Sequence, residues 1–339
     1  MNLPELNTRT DATVELLPKF GLDGAPCYVV VIKQRFSVQP MGAVRRETGA
    51  KVRLVDEPWD PDVPESSIRY PSDACLRKPS TDVVVVGSAV AVDAQPVTEL
   101  DVRVQVGPVS KQLKVFGLRV WFKGALGMTL TPPKPFQSLP LRWEYAYGGM
   151  DTSNPKELAH EPRNPVGRGV VADSDSLLHK PGPQIEDPDD LIRGARSRPA
   201  PAGVGPIGPG VEPRLRYAGT YDDRWQKERM PLPPLDFDER HNQVAAPGLI
   251  CPSYLRGGEP VLLVGLHEDG PLEFELPRLA FYVGSQTVDG TQEHRPVLDT
   301  VLLEPNERRF ELTWRSLVPV PKWARELKSI TVFEKEFLG

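Results

Sequence analysis

Strand-like runs dominate the hydrophobic pattern of the first part of the chain, from about Thr13 to Tyr147. Cys27–Phe36 (CYVVVIKQRF) and Asp82–Val92 (DVVVVGSAVAV) are rich in β-branched residues and nearly continuous in apolarity, as in strands buried on both faces. Leu100–Val106 alternates: Val102, Val104 and Val106 fall on one side, Asp101, Arg103 and Gln105 on the other, which predicts a half-buried antiparallel strand. In Gln112–Phe122 the alternation changes phase, with Leu113 and Val115 on one parity and Phe116, Leu118, Val120 and Phe122 on the other. Gly117 beside the slip predicts a β-bulge.

The last part, from Glu259 onward, reads as a β-meander. Val261–His267 and Leu272–Leu276 flank one turn, and Val297–Leu303 and Arg309–Trp314 flank another. Leu279–Val288 is closed by Asp289-Gly290, a pair suited to the positive φ angles of a type I′ turn. In the strand Arg309–Trp314, Phe310, Leu312 and Trp314 alternate with Glu311, Thr313 and Arg315. Lys322–Lys328 reads as a helical turn before a final strand, Ser329–Phe333. Asp82-Val-Val-Val-Val-Gly87 and Glu259-Pro-Val-Leu-Leu-Val-Gly265 echo each other faintly, as a duplicated β unit would.

Between these parts, about Thr152 to Gly258, the pattern breaks down into Pro, Gly and Arg. Short helices are predicted at Asp187–Ala195 and Asp222–Met230. Ser197–Gly210 has a linker-like composition that admits disorder. The neighbouring aromatics Tyr217, Tyr221, Trp225 and Phe237 argue for ordered loop elsewhere. The expected fold is mainly β: antiparallel sheets packed as sandwich-like layers, with long Pro/Gly-rich ordered loops and a few short helices. Residues 1–150, 151–258 and 259–339 differ in texture and are read as parts of one compact unit.

Composition supports the loop-rich reading. The 38 prolines among 339 residues are about twice the average share, and each fixes φ and removes a backbone donor. A net charge of −5 argues against a nucleic-acid partner, whose phosphates call for a basic face, and against anionic lipid. No run approaches the ~18 apolar residues of a membrane span. The opening residues do not form a secretory signal. Three widely spaced cysteines, Cys27, Cys75 and Cys251, suit a reducing compartment. The expected location is the cytoplasm.

No catalytic constellation emerges. His160, His179, His241, His267 and His294 lack zinc-ligand spacing, and there is no Gly-x-Ser-x-Gly elbow. Gly203-Val-Gly205-Pro-Ile-Gly208 matches a dinucleotide fingerprint in letters only, because prolines replace its strand and helix. Cys251, between Ile250 and a proline, reads as a buried small hydrophobe. The acids of Asp236-Phe-Asp238-Glu239, Asp222-Asp223, Asp187-Pro-Asp189-Asp190 and Asp60-Pro-Asp62 admit a carboxylate-dependent carbohydrate or cell-wall hydrolase. They equally suit turns and helix caps. The expectation is a binding protein without cofactor or metal, not an enzyme.

Three aromatic–arginine segments stand out: Arg142-Trp-Glu-Tyr-Ala-Tyr-Gly-Gly149, Arg163-Asn-Pro-Val-Gly-Arg-Gly169 and Tyr217–Arg229. Tyr, Trp and Arg are enriched at protein–protein hot spots. The candidate partner-binding residues are therefore Trp143, Tyr147, Arg163, Asn164, Arg168, Tyr221, Arg224 and Trp225.

In order, Lys78-Pro-Ser-Thr-Asp-Val83, Phe116-Gly-Leu-Arg-Val-Trp121, Pro135-Phe136 with Leu139-Pro-Leu141, and Tyr147-Gly-Gly-Met-Asp151 resemble a family once catalogued only as a domain of unknown function. Arg163–Gly169, Ala218-Gly-Thr-Tyr-Asp-Asp-Arg-Trp225, Pro234–Asp238 and Leu255-Arg-Gly-Gly-Glu259 continue the likeness. The resemblance runs from roughly Lys33 to the last strands. It implies an adaptor or chaperone of type VI secretion, which binds a toxic effector and helps load it onto the VgrG spike, often through a PAAR-containing tip. A structural subunit of the secretion apparatus is the other reading within that system.

Overall fold

The computed structural model describes residues 4–125, 127–153, 158–320 and 327–335. The first part of the chain supplies strands β1 (Glu5–Arg9), β2 (Thr13–Phe20), β3 (Pro26–Val38), β4 (Val44–Glu47), β5 (Asp82–Val85), β6 (Glu99–Val106) and β7 (Val109–Phe116) to the larger sheets. The middle part supplies β8 (Ile185–Glu186). The last part adds β9 (Pro260–Val264), β10 (Leu272–Glu275), β11 (Ala280–Thr287) and β12 (Gly290–His294). It ends with β13 (Val297–Glu304), β14 (Arg309–Pro319) and β15 (Ser329–Lys335).

Three larger sheets result, beside five two-stranded ones among the described residues. The larger three have the orders β2-β3-β14-β13-β5, with β4 also on β3; β8-β7-β6-β9-β10; and β1-β15-β11-β12. Pairing within them is antiparallel except for β5 with β13 and β1 with β15. Both ends of the chain therefore meet in shared sheets. The fold is mainly β, as the pattern predicts.

The continuous apolarity of β3 has the expected cause, since Tyr28 to Gln34 are all buried. On one face of the six-stranded sheet, Phe36 stacks on Phe310 with ring centroids 5.0 Å apart. Phe274 of the five-stranded sheet stacks on Phe310 at 5.0 Å, and Phe281 of the four-stranded sheet meets Trp314 edge-on at 4.8 Å. That face carries the layered core.

The opposite face is polar and equally buried. Glu311 and Thr313 of β14 are 0% and 1% exposed, and Arg315 is 2% exposed. Register places Thr313 opposite Lys33, and Glu311 opposite Arg35. The alternation in this strand thus separates two buried environments rather than core from solvent. Residues from the segment between β4 and β5 cover the polar face. Asp73 accepts from Lys33 Nζ at 2.7 Å, Arg53 donates to Glu311 at 2.8 Å, and Arg315 donates to the carbonyls of Asp73 (2.6 Å) and Cys75 (3.1 Å).

Several local expectations are corrected. Strand β7 ends at Phe116, so Gly117 is not a bulge. A Cβ there would lie 1.7 Å from the Lys134 carbonyl oxygen, so the glycine admits a crossing backbone. Beyond it, Leu118 and Phe122 are exposed and Trp121 is buried. Asp82–Val92 is split at Gly87 into β5 and a short strand, Ser88–Val90. Asp187–Ala195 is turn and loop rather than helix; the Asp187 carboxylate accepts from Asp189 N at 3.0 Å and stabilises a turn. In the hairpin β11–β12, Thr287 pairs with Gly290, so Val288 and Asp289 form the turn and Gly290 (φ 134°) opens the return strand. The two echoed segments lie in different sheets, β5 beside a parallel partner and β9 between antiparallel ones.

The helix expected at Asp222–Met230 is present as α1 (Asp223–Glu228), N-capped by Asp222 through Trp225 N at 2.8 Å. Ser197–Gly210 is ordered. Val204 and Ile207 are 0% and 3% exposed, and Val204 O accepts from Val85 N at 3.1 Å. The expected helical turn at Lys322–Lys328 falls mostly outside the described residues. None of the described helices is long and apolar enough to cross a membrane.

Candidate functional site

Four of the eight candidate residues bind the loops to one another. Trp143 is buried, donates from Nε1 to Pro206 O at 3.0 Å and covers the Gly203 backbone so closely that a Cβ there would lie 2.9 Å from its ring. Asn164, 2% exposed, donates from Nδ2 to both Trp143 O and Tyr147 O at 2.9 Å. Arg168 Nε donates to Glu144 O at 2.8 Å while its guanidinium lies 4.7 Å from the Tyr145 ring centroid. Tyr147 is buried beside Arg168 in a two-residue parallel bridge. The polar atoms of Trp143, Asn164 and Arg168 satisfy loop backbone, which a Pro/Gly-rich segment without regular ladders needs.

Arg163 is exposed and pairs with Glu161 at 2.7 Å. It lies on the rim of a cleft of ≈ 590 Å³ between β7 and the middle loops, together with Lys111, Asp187, Asp189 and Glu212. Lys111 Nζ donates to Pro247 O at 2.6 Å, and burial pushes its ammonium down to about 8. The alternating pattern around β7 places Lys111 on the sheet but gives no sign of the loops that desolvate it.

Tyr221, Arg224 and Trp225 form a second group on and before α1. Asp222 caps the helix, and Trp225 is fixed from below by Nε1 donating to Leu232 O at 2.8 Å. Tyr221 packs edge-on against Trp225 with centroids 4.7 Å apart, and Arg224 pairs with Glu228 at 3.0 Å. The loop after the helix returns through Met230-Pro-Leu-Pro-Pro-Leu235, and Arg229 anchors it by donating to Pro233 O at 2.8 Å and to Leu22 O. Helix and loop enclose a hollow of ≈ 470 Å³ lined by Trp225, Arg224, Arg229, Pro234 and Leu235. Leu235 of its lining is 79% exposed, and on the same helix–loop segment Tyr221 is 56% and Met230 61% exposed. Met230 and Leu235 were not singled out from sequence, although an apolar residue at each end of a proline run is a visible signal.

The acids that would serve a hydrolase have local duties. Asp236 accepts from Thr220 N (3.0 Å) and Thr220 Oγ1 (2.8 Å), which hold it below the usual carboxylate range. Asp238 caps the turn at Glu239–Asn242, and Asp60 accepts from Asp62 N at 3.2 Å. Cys251 is buried, and burial, with Asp82 and Glu259 nearby, pushes its thiol up to about 12. It is a thiol at neutral pH, not a thiolate nucleophile. Among the described residues no three His, Cys, Asp or Glu side chains are grouped to hold a metal ion. No curated protein and no solved structure matches the chain. A family model described as an uncharacterized protein conserved in bacteria (DUF2169) matches residues 23–315, and the chain belongs to that family.

Proposed function

We propose that the protein is an adaptor of type VI secretion, binding a toxic effector in the cytoplasm and helping to load it onto a VgrG or PAAR spike protein. The observation that carries the binding role is the α1 knob. Exposed Leu235 lines a preformed hollow together with Trp225, which is held by its own hydrogen bond; exposed Tyr221 packs on Trp225, and exposed Met230 follows the helix. Aromatic and arginine side chains such as Tyr221, Trp225 and Arg224 are the residue types that contribute most affinity at interfaces. The ordered motif segments supply the effector and spike as the partners, and no cofactor enters.

A standard interface of about 1,200–2,000 Å² around such anchors spans affinities that permit both capture and release. The test is co-purification of the tagged full chain with the effector, VgrG and PAAR proteins encoded beside it. Retention of at least one, and its loss in a Tyr221→Ala/Leu235→Ala variant, is the expected result. Failure to retain any of the three overturns the adaptor reading. Retention unaffected by the double substitution moves the contact away from the knob.

A further inference from the structure

A pocket of ≈ 310 Å³ opens where β12 leads into β13, at the margin of the buried polar layer. Arg77, Tyr254, His294, Arg295, Asp299 and Arg315 line it. Arg315 is its buried wall. The guanidinium donates from Nε to Asp299 at 2.5 Å and from Nη1 to the Asp73 and Cys75 carbonyls, while Nη2 has no acceptor among the described residues. Asp299 is itself spoken for, because its second oxygen accepts from Thr300 Oγ1 at 2.8 Å.

The charges at the rim do not cancel. Arg77 pairs with Glu239 at 2.6 Å, and Arg315 with Asp299. Arg295 is exposed and has no carboxylate within 4.0 Å among the described residues. His294 contacts Ser285 Oγ at 2.9 Å, and burial lowers its pKa, so it adds a polar ring but no charge at neutral pH. The pocket therefore offers three guanidinium groups with one uncompensated positive charge. We infer that it is a binding site for a small oxyanion, a carboxylate or phosphate group, received by Arg295 and Arg77 at the rim and by Arg315 Nη2 within. Guanidinium forks match the paired oxygens of both groups. The inference is independent of the adaptor reading.

The test is calorimetric titration of the full chain with phosphate and with citrate, using chloride at matched ionic strength as the reference. Binding of either anion above the chloride reference, at least tenfold weaker in Arg295→Ala and in Arg77→Ala, is expected. Phosphate alone would mark a phosphate site, citrate alone a carboxylate site. Arg295 has no carboxylate partner among the described residues and gives up only a 5.7 Å approach of its guanidinium to the Tyr282 ring centroid, so its variant should melt near the wild-type temperature without ligand. Binding no better than chloride, or unchanged in both variants, overturns the assignment.

Discussion

Glu311 shows how a single side chain can organise a buried layer. It is fully buried, yet Lys33 (3.3 Å), Arg35 (2.7 Å) and Arg53 (2.8 Å) all reach it. Burial alone would raise its pKa; the charges of Lys33 and Arg53 and hydrogen bonds from Arg53 and Arg35 outweigh that and hold it down to about 2. Removing its charge takes a carboxylate from three cations, of which only Lys33 keeps a buried partner, Asp73. Glu311→Gln should therefore cost about 3–5 kcal/mol, read as a lower urea midpoint; a loss below about 1 kcal/mol would contradict the assigned role. Asn164 gives a second contrast at this scale. Asn164→Ala strands the Tyr147 carbonyl, since Trp143 O still accepts from Ala146 N at 3.1 Å; a buried unpaired carbonyl costs about 1–3 kcal/mol. The substitution should lower the melting temperature and leave partner affinity of the folded protein unchanged. Tyr221→Ala should do the reverse, weakening a bound partner by about 2 kcal/mol with little effect on melting. If Asn164→Ala abolishes binding at temperatures where it is folded, the motif belongs to the contact surface.

At the scale of elements, strands were legible wherever a period-two or continuous apolar run filled a whole strand, as in β3 and β6. Their limits were not, because the end of β7 depends on the Lys134 backbone, which crosses at Gly117. Gly117→Ala places a methyl group on that carbonyl. The expected cost is at least the 1–3 kcal/mol of core overpacking, measurable as a lower melting temperature; a neutral substitution would mean that the crossing relaxes freely. The polar side of β14 was illegible for a different reason. Glu311, Thr313 and Arg315 have the spacing of solvent-facing residues, and the cover over them comes from residues 53 to 75, distant in sequence. The candidate site divides in the same way. Arg, Tyr and Trp mark both the buried clamp at Trp143 and the exposed knob at Tyr221, and only burial separates them.

For the whole molecule, the polar layer sets a direction for stability against pH. Glu311 and Glu304 of the layer, and Glu144 in the loop turn at Trp143, all have folded pKa values below the ordinary carboxylate range, each because basic partners and hydrogen bonds overcome burial. A depressed pKa means that the folded state binds fewer protons than the unfolded chain. The stabilisation is present above the unfolded value of about 4.3 and is lost as pH falls through the folded one. For Glu311 the window runs from about 4.3 down to about 2, and its share at neutral pH is roughly 3 kcal/mol. Thermal or urea unfolding should therefore show a steep fall in stability between about pH 5 and 2. Because the layer is shielded from solvent, raising salt from 0.15 to 1 M at pH 7 should move the midpoint far less than that acidification. The Glu311→Gln chain starts from a lower plateau and should show a shallower acid limb, since one of the protons that drive it has no site to occupy. An acid limb as steep in the variant as in the wild type would place the titrating groups outside this layer.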